Sequence, residues 1–368
     1  MASACFSAAF ALLRNPPLPN VLPRARIRFP NGPRSNVSRV RSLASTTRFG
    51  WEDALRVAAD DSVADELDLR GYFDRVRLCN RGSEMRSEFV AFLIENQIVG
   101  YVHKGFLEHL REFQDVFTVV LNNEVSSVGD YVTLHSSLIT PEDRTQAVGI
   151  VIKCLGELIP GIRNELYPVT SSYGMPTFFS LERAAAPYFG IKAYGVHMNG
   201  YVEKDGEKFL WIGKRSNVKP TFPGMLDHLV AGGLPHGITC KENLIKECEE
   251  EAGIPRSVSN KYSIFHKAIS VGAVSYMDIE GYRYKRDVLF CYDLKLPEDF
   301  FPKNEDGEVD SFRLVPVSQV ANIIRRTEFF KPNCCLVIID YLFRHGYINP
   351  DCRGYLQLLQ SLRRGNCS

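Results

Sequence analysis

Residues 232–254 read GGLPHGITCKENLIKECEEEAGI, and this stretch decides the fold. A glycine pair is followed by Thr239, whose side chain can cap a helix, and by Glu242 three residues later, which completes a capping box. Gly253 suits the left-handed residue that ends many helices. The sequence therefore predicts a glycine turn that leads into a helix from Thr239 to Ala252.

Three carboxylates share one face of the predicted helix. Glu247, Glu250 and Glu251 stand at positions i, i+3 and i+4, which are neighbours on a helix surface. Like charges at this spacing repel by roughly 0.2 to 0.5 kcal/mol per exposed pair, and a bound divalent cation would remove the repulsion. An acidic run taken alone is more often a solvated face, but the glycines before and after this helix favour a site for Mg²⁺ or Mn²⁺.

The same stretch resembles the Nudix box, G-x5-E-x7-R-E-U-x-E-E-x-G-U. The corresponding positions in this chain are Gly232, Ile238, Lys246, Glu247, Glu250, Glu251, Gly253 and Ile254. The resemblance implies a Nudix hydrolase in which Glu247 and Glu251 are the principal metal ligands and Glu250 is a third ligand or holds a water. It also places Lys246 in the catalytic set.

Two positions depart from that pattern. Ile238 stands where the family usually has Glu, and Lys246 stands where it usually has Arg. The family is expected to pair these two side chains, so the two departures are interpreted as one coupled change. Glu242, four residues before Lys246, is the predicted substitute partner.

Substrate phosphate needs hydrogen-bond donors and cations near the metal. The helix N-terminus and the backbone amides of Gly232 and Gly233 can approach a phosphate oxyanion. Lys214 and Arg215, at the end of a predicted hairpin, are candidate phosphate-binding residues, although surface cations more often only solubilise a protein. The general base is predicted to be one of the helix glutamates or Glu308 in a later acidic loop.

The pattern along the chain predicts two β-hairpins, one around Asn96 and one around Asp205-Gly206. A strand, a glycine loop, a helix, further strands and closing helices predict the α/β class: an α/β/α sandwich with a mixed sheet, preceded by a small α+β domain. The expected divisions are residues 1–50 as a transit peptide, 55–185 as the N-terminal domain, 186–328 as the Nudix domain and 329–368 as C-terminal helices.

The leader has eight arginines and no acidic residue before Glu52, a bias typical of organelle transit peptides. A chloroplast stroma location is expected, with the mitochondrion as the alternative. Without those eight arginines, 36 basic residues face 43 acidic ones, which makes nucleic acid an improbable partner. No apolar run reaches the roughly 20 residues of a membrane helix. The ten cysteines lack metal-binding spacing and predict buried thiols.

Further segments narrow the resemblance to plant chloroplastic Nudix hydrolases that are related to the Nudix domain fused to thiamin pyrophosphokinase in some fungi. These segments are residues 182–190, 223–227, 230–234 and 330–333. The likeness implies a small-molecule substrate, either a nucleoside diphosphate derivative or thiamin diphosphate, including damaged oxo or oxy forms, cut to the monophosphate. Two alternatives stay open: sanitation of nucleotides such as 8-oxo-dGDP, and a catalytically silent Nudix-fold binding module.

Overall fold

The structure, a computed structural model, describes residues 49–59, 67–120, 129–256 and 267–365. Within these ranges the helices are α1 (Trp51–Ala58), α2 (Arg70–Leu78), α3 (Lys104–Leu110), α4 (Pro141–Cys154), α5 (Cys240–Ala252), α6 (Val317–Arg326), α7 (Pro332–Arg344) and α8 (Tyr355–Ser361). The strands are β1 (Phe89–Ile94), β2 (Gln97–His103), β3 (Phe117–Val120), β4 (Tyr131–Leu134), β5 (Leu166–Val169), β6 (Phe179–Glu182), β7 (Lys192–Lys204), β8 (Glu207–Arg215), β9 (Leu226–Asp227), β10 (Val230–Gly233), β11 (Ile269–Glu280), β12 (Arg283–Lys295) and β13 (Val309–Pro316). The predicted transit peptide, except for its last two residues, lies outside the described residues.

The first sheet has four strands in the order β2-β1-β4-β3. The predicted hairpin around Asn96 is confirmed, and the chain turns there through Glu95 and Asn96, both with positive φ. Such a pair of left-handed residues matches the twist of the flanking strands. Helices α3 and α4 cover this sheet through buried side chains such as Phe106 and Val148. A short hairpin of β5 and β6 follows.

The second sheet has seven strands and carries the predicted Nudix box. Its main path runs β11-β12-β7-β8-β13, with β10 beside β7 and β9 beside β8. The β7 and β12 strands pair in parallel, and the remaining pairs are antiparallel. The predicted mixed sheet is therefore confirmed. The hairpin of β7 and β8 turns at Asp205 and Gly206, as the sequence predicts.

Helices cover both faces of the seven-stranded sheet. Because neighbouring side chains of a strand point to opposite faces, Trp211 packs in the core under α5, and Leu210 and Ile212 pack in the core with α6 and α7. The α/β fold class, with the sheet between two helical layers, is confirmed. No helix in the described ranges is long and apolar enough to cross a membrane.

Helix α2 lies within residues 55–185 of the predicted N-terminal domain, but it packs on the C-terminal helices. Its buried side chains Tyr72 and Val76 belong to the same core as Ile323 of α6. Gly71 lies so close to α6 that an added Cβ would stand 2.0 Å from the carbonyl oxygen of Arg325. The sequence pattern could not show this packing, and the division into domains stays a prediction.

Candidate active site

Helix α5 begins and ends where the sequence predicts. The hydroxyl of Thr239 accepts a hydrogen bond from the Glu242 N–H (3.2 Å), and the Glu242 carboxylate accepts one from the Thr239 N–H (3.0 Å). These two bonds form the predicted capping box. At the other end, Gly253 takes the left-handed conformation with φ of 62°. The glutamate face is therefore held on a helix that is fixed at both ends.

The glycine pair at the end of β10 allows other groups to approach the backbone closely. A Cβ added to Gly232 would stand 2.4 Å from Oε1 of Glu247, and one added to Gly233 would stand 2.0 Å from the Tyr167 hydroxyl. A side chain at either position would therefore displace the Glu247 carboxylate or the Tyr167 hydroxyl. The Asn243 amide also donates to the Gly233 carbonyl (2.8 Å), which fixes α5 against this turn.

The three predicted ligands differ in their exposure and partners. Glu251 is buried, with 9% of its surface exposed, and its Oε2 accepts the Ala231 N–H at 2.8 Å. The side chain of Glu247 is 14% exposed and lies against Gly232. Glu250 is half-exposed and its Oε2 lies 3.0 Å from Nζ of Lys246. Glu247 and Glu251 thus share the inner side of the helix face, and Glu250 lies at its rim.

Burial and repulsion raise the pKa of both inner carboxyls. Burial raises the pKa of Glu251 well above its usual value, and the negative charges of Glu247, Asp227 and Glu308 add to the rise. Burial also raises the pKa of Glu247, to which Glu250 contributes repulsion. The carboxylate form at neutral pH therefore needs a nearby cation, and hard oxygen donors at this spacing suit a divalent ion such as Mg²⁺.

The predicted Glu242–Lys246 pair is not formed. Because Glu242 is bonded to Thr239 in the capping box, its carboxylate is turned away from the helix interior. Lys246 lies 3.0 Å from Glu250 and 3.4 Å from Glu247 instead. Ile238, at the family's usual Glu position, packs in a small apolar cluster beside Leu234. The missing acid has therefore been replaced by a hydrophobic contact, not by another charge.

The structure gives Lys214 and Arg215 partners other than the carboxylate face. Lys214 donates to the Phe49 carbonyl (3.2 Å) and lies over the Phe49 ring. All three guanidinium nitrogens of Arg215 are bonded, with Nη1 on Asp227 and the other two on the carbonyls of Thr221 and Phe222. Neither side chain is brought to the glutamates of α5.

A buried polar network around Asp227 was missed in the sequence. The Asp227 carboxylate binds Arg215 at 2.9 Å and Lys331 at 3.3 Å, and it accepts the Cys334 thiol. Burial alone would raise its pKa, but its cationic neighbours, Lys331 foremost, hold that pKa well below the usual value. His228, beside Asp227, hydrogen-bonds to His197 at 2.9 Å, and burial lowers the pKa of both rings.

Among the described residues, the one set of three His, Cys, Asp or Glu side chains with ligand atoms all within 4.8 Å of one another is Asp227, His228 and Cys334. Two buried cations already neutralise the carboxylate of that set, so a metal ion there would meet strong repulsion. In the described part of the chain, no lysine or arginine forms an ion pair with Glu251. The ligand atoms of Glu247, Glu250 and Glu251, however, do not all lie within 4.8 Å of one another.

The acidic loop before β13 lies at the C-terminal end of α5. The Glu305 N–H donates to the Glu250 carbonyl at 3.2 Å, and the Lys303 N–H donates to the Ala252 carbonyl at 3.0 Å. Glu308 of this loop is ion-paired with Lys219, and its charge is one of those that raise the pKa of Glu251. The loop that carries the predicted candidate base is therefore attached to the end of the glutamate helix.

An aromatic group lies at the start of α5. The Tyr173 ring is 4.7 Å from the Phe290 ring and 5.0 Å from the Tyr194 ring, and its hydroxyl is 3.1 Å from the Cys240 sulfur. Tyr173 is 48% exposed, which core packing does not explain. Phe178 and Phe179, in contrast, are buried in the core of the first sheet.

Comparison with known proteins gives consistent results. Residues 194–332 match the family model described as NUDIX domain, and residues 71–193 match a domain of unknown function, DUF4743. The chain is 61% identical over 338 residues to Nudix hydrolase 20, chloroplastic, of Arabidopsis thaliana, covering 90% of this chain and 88% of that protein. It is 58% identical over 337 residues to Nudix hydrolase 24, chloroplastic, of the same plant, covering 91% and 89%.

A solved structure, the NUDIX domain of Shewanella oneidensis NrtR complexed with ADP ribose, is 14% identical over 43% of this chain and 90% of that chain. Its TM-score against this chain is 0.32. The two plant relatives are chloroplastic, which confirms the predicted plastid location. Because these relatives align with nine-tenths of the chain and residues 194–332 match the NUDIX domain, the protein belongs to the Nudix hydrolases, enzymes that act on pyrophosphate bonds.

Proposed function

We propose that this protein hydrolyses the diphosphate linkage of a small molecule in a reaction that depends on Mg²⁺ or Mn²⁺. Glu247 and Glu251 are the principal metal ligands in this proposal, and Glu250 is a third ligand or holds a water. The observation that carries it is the burial of Glu251 beside the largely buried Glu247, whose carboxylate lies against Gly232. Two adjoining carboxylates with so little exposure are costly unless a cation joins them.

The chain's own groups define the remaining chemistry. The Ala231 N–H fixes the orientation of Glu251, and the Glu247 side chain occupies the space that the missing Cβ of Gly232 leaves open. A bound divalent ion supplies charge neutralisation and a more acidic water. A carboxylate, either Glu250 or Glu308, accepts the proton as the water oxygen bonds to phosphorus. The bond from that phosphorus to the bridging oxygen breaks, and a monophosphate and a phosphate leave.

The proposed substrates are nucleoside diphosphate derivatives or thiamin diphosphate, including its damaged oxo or oxy forms. The half-exposed Tyr173, whose ring is tilted against that of Phe290, offers a ring surface at the start of α5 on which an aromatic base could stack. A nucleotide such as 8-oxo-dGDP offers a ring of the same kind and remains the second candidate. The ratio of kcat/KM values between the two classes distinguishes them.

The deciding experiment incubates the protein with Mg²⁺ and a panel of diphosphates, and compares Glu251→Gln with Glu249→Gln. Glu249 lies on the same helix but pairs with Arg256, which makes it a matched control. We expect Glu251→Gln to lower kcat/KM by at least about 10²-fold, as for loss of one strong electrostatic group at a reaction centre. Equal activity of both variants, or no hydrolysis of any member by the wild type, removes the proposal.

A silent binding module is the alternative of another class. The departures at Ile238 and Lys246 motivated it, but Ile238 is accounted for by its apolar cluster, and Lys246 still contacts the carboxylate face. A module that only binds would retain its diphosphate ligand without turnover. Release of phosphate that saturates with Mg²⁺ concentration excludes it. The acidic balance of the chain after its leader supports a small molecule over nucleic acid as the partner, and this stays a prediction.

A further inference from the structure

Arg183 is a cation from outside the Nudix box that lies beside the glycine turn. It follows β6 and begins a short 3₁₀ turn, Arg183–Ala185. Its N–H donates to the Glu165 carbonyl at 2.8 Å, and its Nη1 donates to Oε2 of the same glutamate at 2.7 Å. The guanidinium carbon lies 5.5 Å from the centre of the Tyr167 ring. Glu165, just before β5, and Tyr167 of β5 therefore fix the direction of the Arg183 side chain.

The hairpin of β5 and β6 is attached directly to the turn before α5. The His236 N–H donates to the Leu166 carbonyl at 2.8 Å, and the His236 ring is 2.6 Å from the Ser180 hydroxyl. A Cβ added to Gly233 would lie 3.3 Å from the Arg183 guanidinium carbon. The arginine is thus held against the glycine turn by two elements that the family model of the Nudix domain does not include.

Arg183 also retains donors that the other candidate cations have lost. In the described part of the chain its guanidinium donates from Nη1 alone, and its side chain is 36% exposed. Arg215 has bonded all three of its nitrogens, and Lys331 is bound to Asp227. Arg183 and Glu247 lie against neighbouring glycines of the same turn, because the guanidinium carbon lies beside Gly233 and the Glu247 carboxylate lies beside Gly232.

We propose that Arg183 binds the diphosphate of the substrate, so that the region before the Nudix domain supplies a phosphate-binding residue to the metal site. The inference rests on the proposed function, because it needs a diphosphate held at Glu247 and Glu251. Guanidinium groups form paired hydrogen bonds with phosphate oxygens, which a lysine ammonium cannot reproduce. The Glu165 carboxylate, bonded to Nη1, holds the guanidinium in place and offsets part of its charge when no substrate is bound.

The test measures binding of imidodiphosphate, a diphosphate that resists hydrolysis, in the presence of Mg²⁺ by calorimetry. The variants are Arg183→Gln and Arg183→Lys, and the control is Arg81→Gln. Arg81 forms a bidentate ion pair with Asp278 of the second sheet, so its loss weakens a contact of the same type away from the glycine turn. We expect Arg183→Gln to weaken binding by about 10- to 100-fold, in line with loss of hydrogen bonds to a charged group. Arg183→Lys should fall between it and the wild type, and Arg81→Gln should bind as the wild type does.

Two further measurements separate a binding role from a structural one. Mn²⁺ capture, followed by electron paramagnetic resonance, should be unchanged in Arg183→Lys, and KM for the hydrolysed diphosphate should rise more than kcat falls. Imidodiphosphate affinity of Arg183→Gln and Arg183→Lys within twofold of the wild type overturns the inference. An equal loss of imidodiphosphate affinity in Arg81→Gln overturns it too, because a general loss of structural stability would then explain the weaker binding.

The outcomes distinguish this inference from the proposed function. If the wild type captures Mn²⁺ and hydrolyses a diphosphate but is indifferent to Arg183, only the role of the arginine fails. If the wild type captures no Mn²⁺ and Glu251→Gln matches it in every assay, the metal-dependent function fails, and the assignment of Arg183 falls with it.

Discussion

Asp227 and Glu251 are carboxylates with similar burial, 7% and 9% exposed, but the chain neutralises only one of them. Asp227 lies between Arg215 and Lys331, which hold its pKa low. Glu251 has the backbone N–H of Ala231 and acidic neighbours, and its pKa is raised. The protein therefore neutralises Asp227 with its own cations, whereas Glu251 is the carboxylate that we propose binds a cation from solution.

The largest effect in this comparison is expected from Asp227→Asn. The substitution leaves Arg215 and Lys331 buried without their counter-charge, and breaking a buried pair in this way costs about 3–5 kcal/mol. Urea unfolding at neutral pH measures the loss. Glu203→Gln, which breaks an exposed pair with Lys295, is the control and should change the stability far less, because water screens exposed pairs. A change at Asp227 no larger than that of the control contradicts the structural role.

Glu251→Gln, unlike Asp227→Asn, should not destabilise the fold. The metal-free variant is expected to be at least as stable as the wild type, because the repulsion between Glu251 and Glu247 is gone. The wild type should gain about 2.7 kcal/mol at a Mg²⁺ concentration 100-fold above its Kd, and the variant should gain none. Thermal unfolding with and without Mg²⁺ measures both quantities. Glu249→Gln should still be stabilised by Mg²⁺. If Mg²⁺ also stabilises Glu251→Gln, the assignment of Glu251 as a metal ligand is wrong.

The network around Asp227 should make the fold sensitive to acid. Burial lowers the pKa of His228 from 6.5 to about 4, so the unfolded chain binds more protons than the folded one between those values. Stability therefore falls as the pH drops below about 6.5, by up to about 1.4 kcal/mol per pH unit for this ring. The stability that the lowered pKa of Asp227 contributes above pH 3.8 is lost as the pH falls below that value.

Urea unfolding of the wild type and His228→Asn between pH 7 and pH 4.5 measures this slope, since asparagine does not titrate. The slope of His228→Asn should be shallower. The control is His135→Asn, which removes a histidine that is bonded to Ser137 outside the Asp227 network. This substitution should leave the dependence of stability on pH as it is in the wild type. Parallel curves for the wild type and His228→Asn would show that the buried ring does not carry the acid sensitivity.

The smallest effect is expected from Lys246→Gln. Its ion pair with Glu250 is half-exposed on both sides, and pairs of this kind contribute about 0.3–0.5 kcal/mol. Stability should change by less than about 1 kcal/mol, and Mg²⁺ should still stabilise the variant. Thermal unfolding under both conditions measures this. Loss of the Mg²⁺ effect would show that Lys246 takes part in holding the metal site, beyond its contact with the carboxylate at the rim.

The sequence was sufficient for the features that depend on spacing along the chain. The capping box of Thr239, the end of the helix at Gly253 and the shared face of Glu247, Glu250 and Glu251 follow from helix geometry over a few residues. The two hairpins also follow from local turn patterns, and the order of strands and helices along the chain was enough to expect a mixed sheet. The capping, the helix end and the hairpins depend on residues that are neighbours in the sequence.

Contacts between distant segments were decided only by the tertiary structure. Asp227 meets Cys334 across 107 residues, and Arg183 reaches Gly233 from a hairpin of the preceding region. No periodicity links such pairs, because their distance depends on how sheets and helices pack and not on the spacing of residues. For the same reason Arg215 resembles a phosphate-binding cation in the sequence and proves to be bonded to Asp227. The sequence thus determined the helix that carries Glu247, Glu250 and Glu251, and the packing of the chain determined which charges surround it.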